Sequence, residues 1–491
     1  MTDLVAELDR LDPAREWEPW RPGPGDPWGL KWAGHLYRRA AFGGSWPELK
    51  AAVKAGPDAA VEALFAGGPG QAEFDQLMDA VAPGQSVPRQ PGNTNADPYG
   101  VDLEGWWLHR MILTPHPLRE KVTLFWHNHF ATSIAKVRLP ALMRDQNLLL
   151  RQHALGKFGP LVQAVSKDPA MLVWLDSNSN VRGKPNENYA RELMELFCLG
   201  VGNYTEADVR EAARAFTGWH TNVTTEGNFN PSTKPAFVFQ RSLHDDGEKT
   251  VLGRTGKWDG GDVIRIVLDR PACARFIVRK LYRHFVSEAA TPPDRLIEPL
   301  AERLRKSEYD VGDVLKVMLR SRHFYSVFAH RQRVKGPVEY TVGLLRGLEA
   351  KMPGEAVGLS LPAATQELGQ TLFAPPSVKG WDGGQAWLNT ATVLARHNLA
   401  WRLLQGAGGP HAVRLSPAAL VNRHARSGDA GKQTAFLLDL LVQPDAGEVD
   451  DRARAKLTEF LAEGKPQGAA LDRRIREAAH AVATMPLFQM A

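Results

Sequence analysis

Apolar residues recur at three- and four-residue spacing along most of this chain, a period that predicts a protein built mainly from helices. From Trp32 onward, Leu36, Ala40 and Ala41 share one helical stripe; the pattern returns over 57–66, where Pro57 holds the favoured first helical position. Further helices are predicted over 102–114, 117–131, 139–155, 158–167, 186–200 and from Thr205 to Phe216. The period resumes over 261–286, 294–306, 311–320, 336–350 and about 387–405. Three stretches break it. Residues 12–30 set Pro13, Pro19, Pro22, Pro24 and Pro27 among Trp17, Trp20 and Trp28, which rules out a long helix and predicts an extended arm anchored by its tryptophans. Residues 67–100 are rich in Gly, Pro, Asn and Gln and read as loop, with a short helical stretch near Glu73–Val81. Around 221–256, Ala236–Gln240 and Thr250–Gly253 flank a Gly- and Asp-containing turn, the pattern of a small β-hairpin. The expected fold class is all-α, a single large body with a small β-hairpin insertion. Its parts are a Pro/Trp-rich arm over 1–31, a main helical domain over 32–405 and a C-terminal helical extension over 406–491, set off by the Gly406–Pro410 break.

Composition narrows the picture. With 43% hydrophobic and 23% charged residues over 491 positions, a large core can be buried and global disorder is excluded. The net charge of +5 is mild, and the basic residues are interleaved with acids, as where Arg452, Arg454 and Lys456 follow Asp450 and Asp451. No basic face of the kind that binds nucleic acid is expected. Cys198 and Cys273 are the only cysteines, too few for a Cys-ligated zinc site or an iron–sulfur cluster. The segment Met1–Arg10 carries acids where a secretory signal needs a basic stretch and an apolar run, and no stretch reaches the ~18 apolar residues of a membrane span. These features point to a soluble, cytoplasmic protein.

Three polar clusters could carry chemistry. In Arg119–Phe130, Leu118, Val122, Phe125 and His129 share a stripe, while His127 lies on roughly the opposite side. Histidines two apart cannot chelate one ion from a regular helix, though they can if the helix ends at Trp126. The structural alternative is one core histidine bonded to a carbonyl and one surface histidine. In Pro185–Phe197, Glu187, Arg191 and Glu195 recur every four residues on a face that also holds Met194 and Cys198. That face is either a solvated ion-pair stripe or a covered functional row whose charges must be paired. The third cluster, His244-Asp245-Asp246-Gly247, suits a metal loop or an ordinary turn. His35 sits early in its helix and is unremarkable alone. The chain has no P-loop, no G-x-S-x-G elbow, no H-E-x-x-H and no dinucleotide fingerprint after a strand.

Taken together, several segments resemble the bacterial family called domain of unknown function 1800. They are His35-Leu-Tyr-Arg-Arg-Ala-Ala-Phe-Gly, Phe125-Trp-His-Asn-His-Phe-Ala-Thr-Ser and Asn186-Glu-Asn-Tyr-Ala-Arg-Glu-Leu-Met-Glu-Leu-Phe. Arg214-Ala-Phe-Thr-Gly-Trp, His244-Asp, Lys335-Gly-Pro-Val-Glu, Pro375-Pro-Ser-Val-Lys-Gly-Trp and Trp387-Leu-Asn-Thr continue the series, so that it covers about 32–405. The resemblance implies no established activity. It implies large proteins, often exported, encoded beside a second family that resembles sulfatases and phosphatases; a periplasmic or extracytoplasmic location and a hydrolase-like protein partner follow as expectations. It also places the polar clusters inside shared motifs. The leading expectation is a metal-assisted enzyme, hydrolytic or oxidative. A divalent transition metal (Zn, Fe, Mn or Cu) would be held by His127, His129 and Glu187, with His244 and Asp245 as further ligands. Arg191 would orient a carboxylate or hold an anionic substrate, and Glu195 would act as general base or support a ligand. The alternatives are a non-catalytic partner or assembly protein of the cell envelope, docking through the Trp-rich arm, and a carbohydrate- or polymer-binding protein using some of the 14 tryptophans.

Overall fold

Prolines and capping side chains punctuate the helices. The computed structural model describes residues 2–82, 101–223, 235–352, 360–406, 413–425 and 428–491. Helices dominate, as the apolar period predicts, and most begin where a proline or an Asp, Ser or Thr cap stands. The predicted 261–286 helix is two: Gly260–Leu268, capped by Asp259, and Pro271–Phe285, because Pro271 has no N–H to continue the first ladder. The predicted hairpin is likewise two small antiparallel sheets. Trp219–Thr221 pairs with Phe237–Phe239, and Lys249–Val251 with Arg254–Gly256. Leu252 and Gly253 both take positive φ (49° and 80°), the tight turn that folds Thr250 back onto Thr255 rather than onto the 236–240 segment.

Among the described residues two large buried apolar clusters support the body, beside a small third of Val334, Trp381 and Trp387. One runs from the N-terminal tryptophans through Leu118, Phe125, Trp126 and Phe197 to the Pro271–Phe285 helix and Tyr325. The other joins Trp107, Val338, Tyr340 and Leu399 to Phe436, Ile475 and Phe488, so the C-terminal helices share a core with the central ones. The arm is tied to the chain's own body by its tryptophans. A short helix, Pro13–Glu16, leads into Trp17, whose Nε1 donates to the Leu296 carbonyl at 2.6 Å. Trp20 packs on Tyr325 and Trp32, with ring centroids 4.8 and 5.8 Å apart, and Trp28 Nε1 donates to the Ala52 carbonyl at 3.1 Å. Trp17 and Trp20 are thus buried against the chain's own core, and Trp28 is half-buried. Among the described residues no helix is long and apolar enough to cross a membrane.

Candidate functional site

Three successive side chains near the end of the Pro117–His129 helix leave it in three directions. Consecutive helical residues are about 100° apart, so a run of three can reach three different neighbours. His127 is buried against Trp107 and Phe373 (centroids 5.1 and 5.2 Å), and its Nε2 accepts the Phe373 N–H at 3.1 Å. Asn128 pins the Pro/Gly-rich loop: its Oδ1 accepts the Trp381 N–H at 2.7 Å, and its Nδ2 donates to the Trp381 carbonyl at 3.3 Å. Gly380 makes that approach possible. Its φ is +83°, and a Cβ there would collide with the Asn128 side chain and carbonyl. His129 turns to a third partner, the Phe197 carbonyl, 3.0 Å from Nε2.

Phe197 belongs to the second motif. The helix Asn188–Glu192 widens into a π-helical turn, Leu193–Cys198, closed by the Leu199 and Gly200 N–H groups on the Met194 carbonyl at 2.8 and 3.0 Å. The last carbonyls of a helix have no intrahelical donor and attract cations. Here His129 takes the Phe197 carbonyl, and the Lys280 ammonium donates to the Leu196 carbonyl at 3.1 Å. Lys280 Nζ also lies 3.2 Å from His129 Nδ1. Since His129 Nε2 must carry the hydrogen it gives to Phe197, Nδ1 is the lone-pair nitrogen and accepts from Lys280.

Together these segments enclose a cleft of about 380 Å³, lined among others by His129, Glu195, Lys280, Arg283, Glu288 and Trp381. That volume lies in the range of small-molecule sites. Glu339, from the Lys335-Gly-Pro-Val-Glu motif, sits at its base. Its carboxylate accepts from Lys121 Nζ, from Arg333 Nη1 at 2.5 Å and from the Gly336 N–H at 2.7 Å. Burial alone would push this carboxyl up, but Arg333 and Lys121 hold it well below the usual carboxylate range. Beside it, Glu288 Oε1 accepts the Val334 N–H at 2.6 Å. Burial brings the Lys280 ammonium down to about 8, with the nearby Arg283 and Lys379 cations adding to the effect. Burial likewise lowers His127 to about 3 and His129 well below the ordinary imidazole value, so both rings are neutral.

The sequence-predicted residues divide. His129 and Glu195 share the cleft, and Glu195 accepts the Tyr204 hydroxyl at 2.5 Å. His127 is buried behind the Trp381 loop rather than exposed on the helix surface. Glu187 and Arg191 form a surface ion pair at 3.0 Å, and Arg191 reaches Glu206 at 2.7 Å. His244 and Asp245 belong to a separate knot. His244 Nδ1 donates to the Thr217 carbonyl at 2.9 Å, and Asp245 pairs with Arg214 at 2.8 Å. His35 is a core histidine whose Nε2 donates to the Phe324 carbonyl at 2.9 Å. Among the described residues no three His, Cys, Asp or Glu side chains are grouped so as to hold a metal ion. The nitrogens of His127 and His129 named above are already engaged, and Glu187 lies on the outer surface, so the expected donor set does not fit a shared ion.

Lys280 and Arg283 were missed, because they lie in the Pro271–Phe285 helix among core residues and outside any motif. Asn128, Glu339 and Trp381 stood inside recognisable segments and carried no metal-ligating signal, so spacing rules passed over them.

A helical protein with a charged cleft assembled from separate sequence motifs is the class these features define. The chain belongs to the family described as protein of unknown function (DUF1800), whose sequence model matches residues 35–490. No curated protein and no solved structure matches it.

Proposed function

We propose that this cleft binds a small anionic molecule and is where the protein acts. The observation that carries this is the pairing state of two cations one turn apart on the same cleft wall. Lys280 donates to a carbonyl and an imidazole, and Arg283 Nη2 to the Asp382 carbonyl at 2.8 Å; neither forms an ion pair with a carboxylate among the described residues. The other cations of the cleft are matched: Lys379 with Asp382 at 2.7 Å, and Arg333 with Glu339. A half-buried ammonium without a counter-ion is costly, and an anion arriving from solvent removes that cost while gaining charge-assisted hydrogen bonds. Arg283 supplies the planar fork suited to a carboxylate or phosphate, and Lys280 a point charge beside it.

The test is thermal unfolding in phosphate, sulfate, oxalate and pyruvate against chloride at constant ionic strength. A bound anion at ten times its Kd adds about 1.4 kcal/mol of stability, so at least one of these should raise Tm in a saturable way. Lys280→Met with Arg283→Gln should abolish the rise while Arg191→Gln keeps it. Equal stabilisation of the double variant, or none by any anion, overturns the proposal.

A further inference from the structure

Resting on anion binding in the cleft, we propose that Lys280 is a nucleophilic amine that condenses with the carbonyl carbon of a small oxo acid to form an imine. Lys280 Nζ faces the cleft with a neutral imidazole nitrogen 3.2 Å away, the Leu196 carbonyl 3.1 Å away and the Phe276 ring centroid at 4.9 Å. A carboxylate in place of His129 would hold the amine as ammonium. A neutral acceptor and burial away from water let it shed the proton, the condition a lysine nucleophile requires. The Phe197 carbonyl fixes the His129 tautomer, so the lone pair on Nδ1 is aimed at the amine in every turnover. Arg283 stands one turn further along the helix to take the carboxylate of the oxo acid, which would set the carbonyl carbon beside Nζ. The lowered Lys280 pKa, about 8, agrees with this geometry.

The step balances without an oxidant. The amine lone pair forms the C–N bond as the carbonyl π electrons move to oxygen, and an N–H proton passes through His129 Nδ1 to that oxygen. The second N–H proton leaves with the departing oxygen as water when the C–O bond breaks, giving the C=N bond. One amine and one carbonyl become one imine and one water.

Trapping tests it. The full chain is treated at pH 8 with glyoxylate or pyruvate and sodium cyanoborohydride, and the alkylated lysines are located by peptide mass spectrometry. Lys280 should be labelled in about tenfold excess over any other lysine, because it alone combines a lowered pKa with an oxo-acid site. Excess phosphate or oxalate should suppress that labelling. Lys280→Arg keeps the positive charge, so it should lose the adduct yet retain stabilisation by anions. Labelling spread over surface lysines while anion stabilisation persists overturns the imine alone; loss of both overturns the binding site as well.

Discussion

The segment 186–198 has two faces, and they treat charge in opposite ways. On the outer face, Glu187, Arg191 and Glu206 are 37%, 33% and 63% exposed, and every charge has its partner. On the inner face the same motif offers Glu195 and the Leu196 and Phe197 carbonyls, and the two carbonyls hold a lysine that has no carboxylate partner among the described residues and a neutral histidine. The outer row has the more conspicuous sequence pattern and the weaker energetics, since exposed ion pairs contribute about 0–1 kcal/mol. The inner face is nearly silent in sequence but sits where water is limited, so that each unmatched charge is felt. Chemistry in this protein is better sought where charge is left unbalanced against a cleft than where charged residues are regularly spaced.

Acid gives the largest expected effect. His127 holds its proton only near pH 3 when folded and near pH 6.5 when unfolded, so between those values the unfolded chain binds the extra proton. Stability from this group is therefore complete above pH 6.5 and falls as pH drops; moving from pH 7 to pH 5 costs about 2 kcal/mol for His127 alone. His35, His129 and His284 are lowered by burial too and add in the same direction. Urea unfolding should show a loss of several kcal/mol over that interval, smaller in His127→Gln. A flat profile would mean that these rings are not buried as described.

The base of the cleft comes next. Glu339→Gln leaves Lys121 without a carboxylate partner and Arg333 with Glu288 alone, 3.9 Å away, which should cost about 3–5 kcal/mol in urea unfolding. Glu120, the preceding neighbour of Lys121, points elsewhere and is sealed by Trp107, Arg110 and Arg151 at 2.6–3.0 Å. Glu120→Gln should destabilise comparably but leave the anion-dependent rise in Tm unchanged, whereas Glu339→Gln, which removes the closer carboxylate partner of Arg333 at the cleft, should alter it.

Much of this architecture was legible in the sequence because helices advertise themselves through apolar spacing. Pro57, Pro117 and Pro337 mark helix starts, and Trp32, Leu36 and Ala40 are buried as their stripe requires. What was not legible depended on long-range geometry. The Asn128–Trp381 latch joins residues 253 positions apart, and the π-helical turn at Leu193–Cys198 keeps a helical apolar pattern while re-aiming its carbonyls. The strands paired with other partners because Leu252-Gly253 supplied a closer turn than the longer loop. Motif histidines drew attention for their ligating chemistry, but burial had already assigned them to backbone groups.

Asp168 gives a smaller, oppositely signed test. This buried carboxyl caps the Pro169–Trp174 helix and accepts from Gln146 at 2.7 Å, with no cation beside it. Burial raises it to about 7, so the folded chain binds the extra proton between the unfolded value near pH 4 and pH 7. Its burden on stability grows as pH rises through that window. Asp168→Asn should therefore stabilise the protein by about 2–4 kcal/mol at pH 8 and make the acid-side loss steeper. The contrast with Lys280 is one of access, since Asp168 is closed off and can only take a proton, whereas Lys280 faces a cleft that can admit an ion.

The smallest expected effect is the most pointed test of the two faces. Arg191 was a favoured site residue on sequence grounds, and its guanidinium is bracketed by Glu187 and Glu206 in the open. Because all three side chains are more than a quarter exposed, water replaces most of what the pairs supply, and Arg191→Gln should cost under about 1 kcal/mol. It should also leave anion stabilisation and lysine labelling as in the unaltered chain, and raising salt should shrink even the small stability change, as screening demands. If Arg191→Gln instead removed anion binding, the outer face would be taking part in ligand capture, and the division between the paired surface row and the unpaired cleft wall would fail at its most exposed residue.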